Sequence, residues 1–137
     1  MQRALTILHI DDDSDTRFLL RELISESPEP EGGEHTEICW LDASGVEEAV
    51  AQFAGAPLDA ILLDNRLAGE NGVELLPRIR QVWDCKVWIL TGFFHEKLHD
   101  ESLQRGAAGV IGKDELLKDA AGLRAFLLRN CGRSSPQ

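Results

Sequence analysis

The chain has no tyrosine, a single methionine and only three cysteines in 137 residues. Cys39, Cys85 and Cys131 are odd in number and lack metal-ligand spacing, which fits reduced thiols in a cytoplasm rather than a disulfide framework. Basic residues are also scarce: 14 Lys and Arg stand against 24 Asp and Glu, a formal net charge of -10. That balance excludes a nucleic-acid backbone or an anionic membrane as the main partner. The one basic grouping is Arg78 with Arg80. No apolar run approaches the roughly 20 residues of a membrane span, and MQRALTILHIDDD lacks both the apolar length and the cleavage site of a secretory signal. No internal repeat is evident. What remains, 43% hydrophobic and 28% charged, is the composition of a globular chain with one core.

Leu58 to Gly72 (LDAILLDNRLAGENG) organises the rest. Its apolar run Ala60-Ile61-Leu62-Leu63 suits a strand buried on both faces, ending in the carboxylate of Asp64 and a Gly-rich loop. Before it, Ala4–Ile10 reads as a strand that stops at Asp11-Asp12-Asp13. Ser14 or Asp15 then caps a helix with Phe18, Leu19, Leu20, Leu23 and Ile24 inward. The Pro-, Gly- and Glu-rich segment 27–35 predicts a solvated loop, Thr36–Leu41 an edge strand, and Gly45–Phe53 a helix. After the central strand, Val73–Val82 predicts a helix with Pro77 bending it or delaying its start. Lys86–Leu90 predicts a strand ending at Thr91-Gly92, and Phe94–Gln104 a weak helix. Gly109–Gly112 predicts a short strand ending at Lys113, and Asp114–Arg129 one last helix before a polar tail, 131–137. Trp40, Trp83 and Trp88 are core or half-buried positions. Strand and helix alternate five times, which predicts an α/β fold with a parallel sheet covered on both faces.

In such a sheet all strands aim their C-terminal ends at one edge, where open α/β folds bind ligands. Four strands end in polar groups: Asp11-Asp12, Asp64, Thr91 and Lys113. Clustered carboxylates repel one another unless a cation sits among them, and hard oxygens with room for water suit Mg2+. A lysine beside that metal would receive an anion with several oxygens, for which phosphoryl is the natural candidate. An aspartate can take the group itself as an acyl phosphate.

With those residues in view, the chain resembles the receiver domain of two-component response regulators. ILHIDDDSD, DAILLDNRLAGENGVELLPRIR, VWILTG and GAAGVIGKD each resemble a receiver segment, in order, over about Ala4 to Arg129. The resemblance implies a flavodoxin-like, doubly wound sheet of order 2-1-3-4-5 with five helices. It implies Asp64 as phosphoacceptor, and Asp11 and Asp12 as the acid pair binding Mg2+ together with Asp64 and the Arg66 carbonyl. Thr91 and Lys113 become the switch pair. Departures from the pattern are Val110 where receivers carry Tyr or Phe, Asp114 where proline commonly follows the lysine, Ala68 where proline is often found, and a long first helix-to-strand loop.

Other readings compete. Asp11, Asp13, Asp15 and Glu22 match a calcium-loop spacing, but Thr16 stands where that loop needs glycine. His95 and His99 have metal-compatible spacing without a third ligand in sequence. The expectation is a receiver domain over 1–130 with a tail over 131–137. It would be a cytoplasmic, stand-alone module, monomeric or weakly dimeric, taking phosphoryl from a sensor histidine kinase or a phosphotransfer protein. It would be no enzyme beyond self-phosphorylation and self-dephosphorylation. Its signal would pass to a protein target through the face of the fourth helix, fifth strand and fifth helix. The alternative is a phosphate-independent pseudo-receiver or docking scaffold.

Overall fold

The computed structural model describes residues 3–26, 36–67 and 69–131. The segment 27–35 read as a solvated loop, Ala68 and most of the tail lie outside the described residues. In chain order the elements are β1 (Arg3–Ile10), α1 (Ser14–Glu26), β2 (Thr36–Ala43), α2 (Val46–Phe53) and β3 (Ala60–Asp64). They continue with β4 (Arg66–Leu67), β5 (Glu70–Asn71), α3 (Gly72–Val82), β6 (Lys86–Thr91) and α4 (Glu96–Gln104). Last come β7 (Gly109–Gly112), α5 (Lys113–Leu116) and α6 (Ala120–Asn130). The main sheet has five strands in the order β2-β1-β3-β6-β7, and every pairing is parallel. This is the flavodoxin-like order expected, with β2 at an edge.

Two cores flank the sheet because successive side chains leave a strand on opposite faces. Leu8, Ile10, Ile61 and Leu63 pack with Val46 and Ala49 of α2, Leu76 and Ile79 of α3, and Leu98 of α4. Leu5, Ile7, Ala60 and Leu62 pack with Leu20 of α1, Leu116 of α5, and Leu123 and Leu127 of α6. All five residues of β3 are buried, so an unbroken apolar run was the right signature for it. Trp40 and Trp83 are buried and Trp88 is half-buried. The Trp83 indole N–H donates to the Phe53 carbonyl at 2.9 Å.

The elements differ from the sequence reading in several places. Helix α1 begins at Ser14 with Asp13, not Ser14 or Asp15, as its cap: the Asp13 carboxylate accepts the Asp15 N–H at 3.2 Å and the Thr16 hydroxyl at 2.6 Å. Phe18 is 65% exposed and Leu19 is exposed too, because the stripe facing the sheet runs Leu20, Leu23, Ile24. At about 100° per residue Phe18 falls on the far side of that stripe. Pro77 does not delay α3, which starts at Gly72. Helix α4 starts two residues later than expected, since the His95 Nδ1 accepts the Leu98 N–H and caps it.

The last expected helix is two pieces. Asp119 accepts the Gly122 N–H at 2.5 Å and opens α6 afresh, and an N-cap of this kind outweighs the helical propensity of the Leu117-Lys118 linker. Cys131, assigned to the tail by the sequence, is instead fully buried against this core, where burial pushes its thiol up to about 12. After Asp64 the expected loop holds a small antiparallel ladder, β4 with β5, turned at Gly69 with φ 87°.

Candidate functional site

Sheet register brings the polar strand ends together. Ile10 pairs with Leu63, Asp64 with Leu90, and Thr91 with Gly112, so Asp11, Asp64, Thr91 and Lys113 stand side by side on the C-terminal edge. Carboxylate oxygens of Asp11, Asp12 and Asp64 all lie within 4.8 Å of one another, and among the described residues no other acidic, His or Cys trio does so. Lys113 Nζ is 3.0 Å from Asp64 Oδ1 and 3.6 Å from Asp11 Oδ2. Asp11, Asp64 and Thr91 are buried, Lys113 is partly exposed, and Asp12 is exposed.

Local structure explains each placement. Asp11 follows the end of β1; its N–H donates to the Ala43 carbonyl and its Oδ1 accepts the Asp13 N–H at 2.9 Å. The Arg17 guanidinium, one turn into α1, donates to the Asp11 carbonyl at 2.5 Å. Beyond Asp64 the chain is held by Asn65, whose N–H donates to the Leu90 carbonyl and whose own carbonyl accepts the Gly72 N–H at 2.6 Å. The Thr91 hydroxyl is doubly engaged, donating to the Phe93 carbonyl at 3.0 Å and accepting the Phe93 N–H at 3.1 Å. It therefore sits at the edge with the others but is turned to its own loop.

The electrostatics separate the carboxylates. Burial pushes Asp64 up, Lys113 pulls it down and Asp11 pushes it up again, and the net shift is upward. Burial also raises Asp11, but His9, the Asp13 N–H and Lys113 together hold it below the usual carboxylate range. Lys113 is lowered by burial and raised more by Asp64 and Asp11, so it stays an ammonium well into the alkaline range. Each group answers the field of the other two.

The residues suit a hard cation. The donors are all oxygen, one carboxylate is exposed, and the buried Asp11 Oδ2 has no hydrogen-bond donor among the described residues. Arg66 lies in β4 opposite Asn71 with an exposed side chain. Among the described residues its guanidinium pairs with neither Glu70 nor Glu96. The calcium spacing dissolves, because Asp13 and Asp15 belong to the start of α1 and Glu22 lies further along that helix. His95 serves as a cap and His99 leans on Phe94, so these two form no metal site with a third described ligand.

Three buried polar residues escaped the sequence reading: His9, Ser102 and Arg124. His9 is fully buried, with Nε2 3.5 Å from Asp11 Oδ2. The signal was present, since residues two apart on a strand share a face. Arg124 is buried on α6 beside Leu123 and Leu127, where spacing alone marks it as inward.

The chain matches the family model described as response regulator receiver domain over residues 7–121. It is 32% identical over 115 residues to the nitrate/nitrite response regulator protein NarL of Escherichia coli K12, covering 82% of this chain and 50% of that protein. The chain thus spans about half the length of the curated relative it matches. Among solved structures it resembles a two-component response regulator from Clostridium difficile, with 26% identity and a TM-score of 0.69, covering 91% of this chain and 97% of that one. A chain of the CheX-CheY-BeF3-Mg2+ complex from Borrelia burgdorferi shares the fold, with 23% identity and a TM-score of 0.68, covering 91% of this chain and 87% of that one.

Proposed function

This chain belongs to the response regulator receiver domain family, and from that premise we propose that it accepts a phosphoryl group on Asp64 and signals by protein contact. The observation that carries the reading is the ammonium of Lys113 held 3.0 Å from Asp64 within the trio of carboxylates. An Asp64 oxygen attacks the phosphorus of a phosphohistidine on a kinase or phosphotransfer protein. A P–O bond forms, the P–N bond breaks, and the imidazole nitrogen leaves with the electron pair. Asp11, Asp12, Asp64 and the Arg66 carbonyl would hold Mg2+, which when bound offsets the charge of the phosphoryl oxygens. Lys113 transfers its ion pair from the Asp64 carboxylate to a phosphoryl oxygen. Hydrolysis of the acyl phosphate returns the resting state, and the protein acts on no other substrate.

A site lacking the usual aromatic at Val110 can still change state by this route. When Thr91 turns its hydroxyl to a phosphoryl oxygen it gives up both hydrogen bonds to Phe93. The connection from β6 to α4 is then free to move. Phe93, 79% exposed, and Phe94 sit on that connection, beside the face formed by α4, β7 and the α5–α6 pair that we assign to the target. This is a shift between two populated arrangements. The partners are thus a phosphohistidine donor and a protein target, in the cytoplasm.

Uptake of beryllofluoride, which mimics a phosphoryl group, tests the proposal without a cognate kinase. Fluorine NMR should show slowly exchanging bound fluoride only when Mg2+ and the parent protein are both present. Asp12→Ala should lose that signal at the same Mg2+ concentration. A parent protein that takes up no beryllofluoride would support the phosphate-independent scaffold instead.

Arg66 provides a second expectation. Arg66 is exposed and lies two residues beyond Asp64; in this reading its guanidinium would stand over the approach of the hydrolytic water. Arg66→Ala should shorten the phosphoprotein lifetime several-fold at equal Mg2+ and pH, a tenfold change corresponding to about 1.4 kcal/mol on the barrier. Folding stability should change little, since exposed substitutions of this kind are worth about 0.5 kcal/mol or less. Equal lifetimes would remove Arg66 from the account.

A further inference from the structure

His9 is the penultimate residue of β1, between the apolar Leu8 and Ile10, fully buried, and none of the steps above uses it. Its ring lies 5.7 Å from that of Trp40, tilted by 47°. Neither ring nitrogen has a hydrogen-bond partner among the described residues. Burying two polar nitrogens without a partner is costly, and a Val or Leu would fill the same space without that penalty. Two carboxylates lie near enough to matter. Asp42, beside His9 in the sheet register, is taken by Arg21 through bonds of 2.9 and 3.1 Å. Asp11, two residues on and on the same face, presents its Oδ2 to His9 Nε2 at 3.5 Å.

That oxygen is the one left over. Asp11 Oδ1 is fixed by the Asp13 N–H, whereas Oδ2 has no hydrogen-bond donor and lies between His9 and Lys113. A movement of about 0.5 Å closes the His9 gap into an ordinary N–H···O bond. We propose that His9 is a positioning residue of the acidic pocket, whose Nε2–H fixes Asp11 Oδ2 so that the carboxylate keeps one orientation toward the cation. The assignment rests on the reading of the pocket as a Mg2+ and phosphoryl site. Groups that orient a liganding carboxylate contribute to metal affinity without touching the metal, and losing one commonly weakens binding on the order of tenfold or more.

The test uses the full chain, with Mg2+ alone as the probe and its affinity read from pocket amide shifts. The parent should bind, and His9→Leu should bind roughly tenfold more weakly. Denaturant unfolding of the metal-free His9→Leu protein should show stability equal to or above that of the parent, because an unpartnered buried ring has been replaced by an apolar side chain. His9→Gln, whose amide can place an N–H near the same point, should recover most of the affinity. In the parent, nitrogen NMR of the neutral His9 ring should show the proton on Nε2, a readout that holds even where a variant does not fold. Unchanged affinity in His9→Leu, equal weakening in both variants, or a proton on Nδ1 would overturn the proposal. Absence of Mg2+ binding by the parent itself would overturn the pocket reading as well, and so tells the two failures apart.

Discussion

Asp64→Asn should abolish acid-labile, hydroxylamine-sensitive labelling by a small phosphodonor, and at neutral pH without Mg2+ it should fold more stably than the parent. The first effect follows from removing the nucleophilic oxygen. The second follows from the field at the strand ends, where burial and the charge of Asp11 outweigh the help of Lys113 and raise the Asp64 pKa above its ordinary 3.8. A carboxyl whose folded pKa is raised favours folding in its neutral form. Against a neutral amide at the same position, the parent loses nothing below pH 3.8 and falls behind as pH rises from there through the raised folded value. The gap between the two unfolding curves should therefore widen from acid to neutral pH. Saturating Mg2+ should then close or reverse it, because a ligand at 100 times its dissociation constant stabilises the native state by about 2.7 kcal/mol. Persistent labelling of the variant, or a gap independent of pH, would contradict the assignment.

Gly72→Ala should be the most damaging small substitution near the site. Gly72 opens α3 with its N–H on the Asn65 carbonyl at 2.6 Å. A methyl group there would overlap the backbone carbonyl oxygen of Asp64 and lie 3.1 Å from the Asn65 Cα. These are backbone atoms of the strand end, so no side-chain rotation relieves the overlap. Overpacking of this kind costs about 1–3 kcal/mol, more than the propensity that Ala gains over Gly in a helix, about 1 kcal/mol. Because the displaced atoms carry Asp64, the labelling rate should fall together with stability. Gly55→Ala, where an added methyl meets nothing within 4 Å, should stay within about 0.5 kcal/mol of the parent. Urea unfolding of the three proteins measures this, and a Gly72→Ala protein matching the parent in both respects would show that α3 can retreat from β3 freely.

The strands and the site were legible because both depend on patterns local to the sequence. An apolar run ending in a carboxylate announces β1 and β3, and parallel topology then forces their ends to one edge. That logic placed Asp11, Asp12, Asp64, Thr91 and Lys113 together without a distance in hand. Two kinds of feature resisted. One is the choice among neighbouring caps: three successive aspartates precede α1, and only the geometry singles out Asp13. Asp119 likewise splits α5 from α6 within a run of good helix formers. The other is tertiary burial of groups that sequence scales treat as polar. His9 and Arg124 both occupy inward positions by spacing, yet residue type argued for the surface. Phe18 and Leu19 were the reverse, apolar side chains on the outward side of α1.

Position 110 is where this chain parts from the usual receiver pattern. With Val110 buried in the α4-side core and no tyrosine anywhere in the sequence, the short path outward is the pair of hydrogen bonds between Thr91 and Phe93. In the proposed switch a phosphoryl oxygen takes over the hydroxyl that makes them, which requires no new cavity in the core.

Where the phosphoryl group goes decides most directly between the alternatives. Parent protein incubated with acetyl phosphate and Mg2+, trapped with hydroxylamine and digested, should yield one hydroxamate, located by tandem mass spectrometry at Asp64. Label at Asp11, Asp12 or a histidine, or no label under conditions in which the protein binds Mg2+, would contradict it.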